Sequence, residues 1–179
     1  MKRGFTLIEL MVSVAIFTIV MTLSLGALLS ITAAEKKAET LKSVINNLHF
    51  ALDSMTRSIR TGYGYNCGSS SGGNCSGGGT ALYFTDAAGR SIVYCRGDGS
   101  TCSASGTSIL QKINSGAFAP IATPEVVINN FSFYLVGATQ GDTEQPKVTV
   151  TLSGTVQVSE TQSSTFNIQT TITQRLYDL

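Results

Sequence analysis

Between Leu10 and Ala34 the chain has no ionisable side chain, and roughly 20 consecutive apolar residues suffice to cross a bilayer as a helix. The apolar run starts earlier, at Phe5, and only Glu9 interrupts it; Lys2, Arg3 and Gly4 precede it. This is the pattern of a membrane span, and whatever folds after residue 34 must do so beside a membrane. Glu9 is the anomaly. An acidic residue near the middle of a span costs about 2.5 to 3.5 kcal/mol, less near an interface, so a carboxylate here is a functional candidate whose partner has to be named. The alternative is a side chain that snorkels to the membrane edge. Position alone leaves both readings open.

The order of the first ten residues goes further. In an ordinary secretory signal the small-residue cleavage site follows the apolar region, whereas here Gly4 stands before it. Gly4, Phe5, Thr6, Leu7, Ile8, Glu9 and Leu10 resemble the class III leader of type IV pilins and type II secretion pseudopilins. That resemblance implies cleavage after Gly4 by the prepilin peptidase on the cytoplasmic side, N-methylation of Phe5, and a mature chain that starts at Phe5 and keeps its span. It implies as well that Glu9 serves assembly, by neutralising the Phe5 amine of an adjacent subunit.

Beyond the span, the 179-residue chain leaves room for one modest domain. Charged residues are 13% and the formal net charge is +1, which argues against a general nucleic-acid binder with many phosphate contacts. Loss of Lys2 and Arg3 with the leader turns +1 into −1. From Tyr63 onward five basic residues face seven acidic ones, so this region is mildly acidic. Cations on both sides of the span (Lys2 and Arg3; Lys36, Lys37 and Lys42) leave its orientation open by charge counting. The cysteines decide it: Cys67, Cys75, Cys95 and Cys102 all follow the span, in Gly/Ser-rich loops, an even set that points to disulfides in an oxidising compartment. Cys67 with Cys75 and Cys95 with Cys102 each close a short loop, and these local pairs are preferred among three connectivities. The C-terminal side is therefore expected to be periplasmic or extracellular, and the resemblance to pilins implies a single-pass protein of the inner membrane.

From Glu35 to Arg60 the positions Leu41, Val44, Ile45, Leu48, Leu52, Met55 and Ile59 recur at intervals of three and four, an amphipathic stripe. One helix from Phe5 to Thr61 would be on the order of 85 Å long, with Gly26 as a place to bend and Gly62 as a C-cap. Leu48, Leu52, Met55 and Ile59 are expected to face a sheet. Residues 62–79 read as a low-complexity loop. Strand patterns follow at 81–85, 91–95, 108–113, 126–136, 147–158 and 166–175, the first two joined in a hairpin with Gly89 in its turn. The expected fold class is α+β, a long N-terminal helix packed on an antiparallel sheet, pilin-like. Its expected divisions are leader 1–4, transmembrane and filament-core helix 5–34, amphipathic continuation 35–61, and a globular region 62–179 made of the Gly/Ser/Cys loop and the sheet.

No catalytic, cofactor or metal constellation emerges. Gly68-Ser-Ser-Ser-Gly72 matches a nucleophile elbow in letters only, because that elbow needs a strand-turn-helix and a histidine, and the single His49 lies on the helix. The cysteine spacings lack the short knuckles of zinc sites, and the spacing of Asp98, Asp142 and Glu144 supports no calcium site. The Asp/Arg-bearing end of the helix, the Cys-containing loop, Phe131-Ser-Phe-Tyr134 and the closing Thr170-Thr-Ile-Thr-Gln-Arg175 are similar to minor pilins and J-type minor pseudopilins. This implies a structural subunit of a type IV filament, initiating or tip-located. Its implied partners are other pilin or pseudopilin subunits, the prepilin peptidase and the inner-membrane assembly platform. A tip adhesin or DNA-uptake module is the alternative; a membrane-anchored enzyme would need a polar constellation that is not found.

Overall fold

A computed structural model describes Gly4 and residues 6–68, 73–139, 144–159 and 162–175. Helix α1 spans Leu7–Thr61 without interruption and passes through Gly26. The chain divides into two compact units, Met1–Thr40 and Leu41–Leu179. In the first, every described side chain from Thr6 to Glu39 is exposed, and the apolar residues from Leu7 to Ile31 find nothing to pack against within the chain. By length and composition this helix can cross a membrane.

Among its described residues the second unit has nine strands: β1 Tyr63–Cys67, β2 Cys75–Gly79, β3 Ala81–Thr85, β4 Ser91–Gly97, β5 Ser108–Ile113, β6 Ala119–Pro120, β7 Val126–Val136, β8 Lys147–Ser159 and β9 Gln162–Thr173. They form two antiparallel sheets, ordered β1-β3-β4-β5-β6 and β2-β7-β8-β9. The α+β class stands, and the single expected sheet is two. The expected loop at 62–79 carries β1 and β2, whose pairing with β3 and β7 makes strands of glycine-rich sequence. The closing strand begins four residues before the expected Phe166 and ends at Thr173. Arg175 lies past it, its N–H donating to the carbonyl of Arg60 at the helix end.

The amphipathic stripe does what its period requires. Val44, Leu48, Leu52, Met55 and Ile59 are buried in one core with Leu82, Tyr94, Ile109, Phe131, Phe133 and Val150 from both sheets. Complete burial of a side chain of this size contributes roughly 1.5 to 3 kcal/mol. Ile45 falls outside that line, and Phe50 projects into solvent at 79% exposure. Alternation in β7 breaks once: Ile128 faces Gly154 but Asn130 faces Ser153, so Asn129 is an extra, bulged residue. The bulge lets Val126 and Ile128 point inward before it and Phe131, Phe133 and Leu135 after it. The freed carbonyl of Asn129 accepts a hydrogen bond from the Arg96 guanidinium of the other sheet.

The turn after the helix depends on close approach. A Cβ built on Gly62 would lie 2.5 Å from the Phe84 ring and 2.8 Å from the Thr85 carbonyl oxygen. The helix ends at Thr61, directly before Gly62, whose N–H donates to the Ile59 carbonyl over 3.1 Å; Gly62 is not among the residues with left-handed φ, so it ends the helix without a left-handed turn, and its missing side chain is what the close approach requires. Beside it the Tyr65 hydroxyl lies 2.6 Å from both the Ile59 and Gly62 carbonyl oxygens, one proton serving both acceptors.

Candidate functional site

The helix start is set by a reciprocal cap. Thr6 precedes the first helical residue and Glu9 is the third residue of the helix. The backbone N–H of Thr6 donates to Glu9 Oε2 over 3.1 Å, the Thr6 hydroxyl donates to the same oxygen over 2.9 Å, and the N–H of Glu9 points back at Thr6 Oγ1 over 3.4 Å. The first helical bond, from the N–H of Leu10 to the Thr6 carbonyl, closes the turn at 3.3 Å. This is a capping box, which satisfies N–H groups that the first turn of any helix leaves without partners. It is legible in the sequence as Thr-x-x-Glu before an apolar run, a signal that the charge anomaly of Glu9 overshadows.

Gly4 is exposed, and no neighbouring atom lies within 4 Å of the place its Cβ would take. Phe5, the expected site of methylation, lies outside the described residues. Glu9, with Thr6 beside it, is thus set in the first turn of a helix whose next six turns present only apolar and small polar side chains. Of the six serines and threonines among these, Ser13, Thr18, Thr22, Ser24 and Thr32 turn their hydroxyls back onto carbonyls three or four residues earlier. These back-bonds leave few side-chain donors facing lipid, and Glu9 is the single ionisable group between Leu7 and Ala34.

The cysteines lie far along the chain from this turn, in the second unit. Cys67 at the end of β1 is bonded to Cys75 at the start of β2, and Cys95 in β4 to Cys102 in the following loop. Cys95 sits fully buried with Ala81 and Leu110 in a small core of its own, against which Phe118 packs. Gly68 is described, while Ser69 to Gly72, the rest of the nucleophile-elbow lettering, lie outside the described residues.

Among the described residues the most enclosed charge is Asp86, 4% exposed, in the hairpin turn between β3 and β4. Its Oδ1 accepts the N–H groups of Ala88 and Arg90, each at 2.9 Å, and its Oδ2 accepts Arg90 Nε at 2.8 Å and Nη2 at 2.7 Å. The Arg90 N–H and guanidinium, with the Ala88 N–H, hold the carboxyl below the usual aspartate range against the opposing effect of burial. All four bonds are spent within the turn, which marks Asp86 as a structural group. Among the described residues no group of three or more His, Cys, Asp or Glu side chains is placed to hold a metal ion.

Residues 1–25 match the family model described as the prokaryotic N-terminal methylation motif. The chain therefore carries the class III prepilin leader of type IV pilins and pseudopilins. The match covers the leader and the first part of α1, and no part of either sheet. No curated protein and no solved structure matches the chain. The motif implies processing by prepilin peptidase, anchoring in the inner membrane by the apolar helix, and assembly with pilin subunits.

Proposed function

We propose that the protein is a structural, non-enzymatic subunit of a type IV filament, a pilus or a type II secretion pseudopilus, and within it a minor component that initiates or tips the fibre. The precursor is held in the inner membrane by residues 5–34 with its globular region outside. It is cleaved between Gly4 and Phe5, methylated on Phe5, and drawn by the assembly platform from lipid into a bundle of neighbouring helices. One observation carries this reading: the methylation motif over residues 1–25 lies on a helix whose apolar side chains from Leu7 to Ile31 are exposed.

In such a bundle a lone carboxylate is costly. The Phe5 amine of an adjacent subunit, created by the cut, supplies the opposite charge for Glu9. The experiment that tests the reading is Gly4→Glu in the native host, with the mass of the membrane-bound protein as readout. An uncleaved precursor, heavier than wild type by the four leader residues, is expected together with exclusion from sheared filaments. Normal cleavage of Gly4→Glu, or a wild-type chain that keeps Met1 to Gly4 in the presence of the peptidase, would overturn it.

A further inference from the structure

The bulge in β7 also decides what the outer face of its sheet presents. With Val126 and Ile128 inward, a regular strand would send Asn130 inward too; the extra residue re-aims it to the outer face, where it stands opposite Ser153. The Arg96 guanidinium holds the bulge by the Asn129 carbonyl. Ser153 in turn lies opposite Asn167 on β9, and the next outward row is Ser132, Thr151 and Gln169. Between these rows is a depression of about 230 Å³ whose polar lining is Asn130, Thr151, Ser153, Asn167 and Gln169. It is on the side of the sheet turned away from α1, since Phe131, Phe133, Val150 and Leu152 point the other way, into the core with Leu48 and Met55.

The chemistry of the lining decides what it can hold. Lys147 is the single charged residue in β7, β8 and β9, and it starts β8, about 20 Å along the strand from Ser153. The lining therefore offers no cation to a phosphate, a carboxylate or a nucleic-acid backbone, whose recognition rests on Arg and Lys. A protein partner needs roughly 1,000 Å² or more, with apolar or aromatic anchors near the centre. The exposed apolar residues of this face, Val127, Tyr134 and Val136, all lie outside the depression. What the lining does offer is amides and hydroxyls, groups that both donate and accept hydrogen bonds. The Ser132 hydroxyl, donating to Asn130 Oδ1 over 3.2 Å, fixes that amide and leaves its N–H groups to donate, and Asn167 and Gln169 are exposed.

We propose that this depression binds an uncharged oligosaccharide. A sugar hydroxyl donates and accepts as the lining groups do, and a neutral glycan brings no charge that the site would have to leave unpaired. Successive outward rows are about 7 Å apart, so the two rows that flank the depression meet more than one sugar unit. The following row, Tyr134 with Thr149 and Thr171, adds an aromatic ring at the end of the track. That ring is set against Gly78, where a Cβ would stand 3.1 Å from it, and it presents an apolar surface on which the C–H face of a sugar can lie. The proposal is independent of the filament reading, since it uses no residue of the leader or of α1 and asks for no second copy of the chain.

The test uses the full chain in a detergent without a sugar headgroup. Short neutral oligosaccharides of the chito-, cello-, malto- and xylo- series are titrated by calorimetry, with sialylated and sulfated glycans for comparison. Saturable binding of at least one neutral series is expected. Asn167→Ala and Gln169→Ala each remove a hydrogen-bonding side chain and should weaken it by about tenfold, while Ser115→Ala, in an exposed turn away from this face, leaves it unchanged. Gln169→Glu keeps the size of the side chain and puts a charge in the lining; it should weaken binding as much, and it stands in should an alanine variant lose its fold, which the Tm of each variant reads. No saturable binding of any neutral series, binding of the charged glycans alone, or neutral binding that the folded β9 variants retain at wild-type strength would overturn the proposal.

Discussion

The Thr6 hydroxyl and the Glu9 carboxylate cap one another, with Thr6 Oγ1 donating to Glu9 Oε2 over 2.9 Å and the Glu9 N–H directed back at Thr6 Oγ1. Glu9 therefore has two separable properties, an acceptor that fixes the helix start and a charge available to a neighbour. Glutamine retains the first and loses the second, since Gln serves in a capping box as Glu does. Glu9→Gln should be cleaved normally and leave the helix start intact, yet fail to enter filaments, as Glu9→Leu should. Thr6→Ala removes the cap at a cost of about 0.5 to 2 kcal/mol of local helix stability but keeps the charge, and should assemble at reduced level. Sheared-filament yield against membrane-retained mature protein distinguishes these outcomes. Assembly of Glu9→Gln at wild-type level would make capping, and not charge, the role of Glu9.

Asp86 sets an acid limit on the hairpin. Its carboxyl pKa is lowered on folding, first by the N–H of Arg90 and then by the Arg90 side chain, with the Ala88 N–H adding to them. A group of this kind adds stability above its unfolded pKa, about 3.9 for aspartate, and that contribution fades as pH falls below this value toward the lower folded one. Asp86→Asn should therefore lower Tm at pH 7, while the gap to wild type narrows below about pH 4. Thermal unfolding at pH 7, 5, 4 and 3 reads it; a gap that stays constant to pH 3 would remove the charge from the explanation.

What the sequence conceals follows from where each signal lives. The amphipathic stripe from Leu41 to Ile59 and the strands 108–113 and 126–136 are local periodicities, and they reappear in place. The strands at 63–67 and 75–79 are not local: Tyr63-Gly-Tyr-Asn-Cys and Cys-Ser-Gly-Gly-Gly owe their extended form to β3, β7 and a disulfide. The split into two sheets is equally a matter of long-range pairing. The bulge at Asn129 lies between these cases, since the spacing from Ile128 to Phe131 breaks a period of two within one strand. At the helix start Thr-x-x-Glu is legible in the sequence, whereas the partner proposed for Glu9, the Phe5 amine of an adjacent subunit, lies outside the chain.

Leu52 and Phe50 are two residues apart on α1 and lie on opposite sides of the packing decision. Leu52 is in the core between the sheets, and Phe50 is 79% exposed. Leu52→Ala should destabilise the globular unit by about 2 to 5 kcal/mol, toward the lower end because its site is at the rim. Phe50→Ser should change stability by no more than about 0.5 kcal/mol. An exposed phenylalanine on a helix of a filament subunit is a contact in waiting, so the same variant is expected to lower incorporation into filaments. Denaturant midpoints for both variants, with filament yield for Phe50→Ser, check the pair; wild-type yield would place Phe50 outside the subunit interfaces.

Gly62 and Gly26 make opposite predictions for one substitution. Alanine at Gly26, with no contact within 4 Å, removes a weak point from the helix, worth roughly 0.5 to 1 kcal/mol in its favour. Alanine at Gly62 would place a methyl group 2.5 Å from the Phe84 ring and 2.8 Å from the Thr85 carbonyl oxygen. The ring can turn, but the carbonyl belongs to the β3 backbone, so the helix end must move. Phe84 stacks between Tyr65 and Tyr94, at 5.8 and 5.9 Å, and the Tyr65 hydroxyl is held by the carbonyl of Gly62 itself. Overpacking of this kind costs about 1 to 3 kcal/mol, which reverses the sign seen at Gly26. Gly62→Ala is expected to lower Tm and to weaken the near-ultraviolet circular dichroism of the tyrosines, while Gly26→Ala leaves both at or above wild type. Equal stability of the two variants would show that the helix end is free to shift, and that contact with Phe84 does not require glycine at position 62.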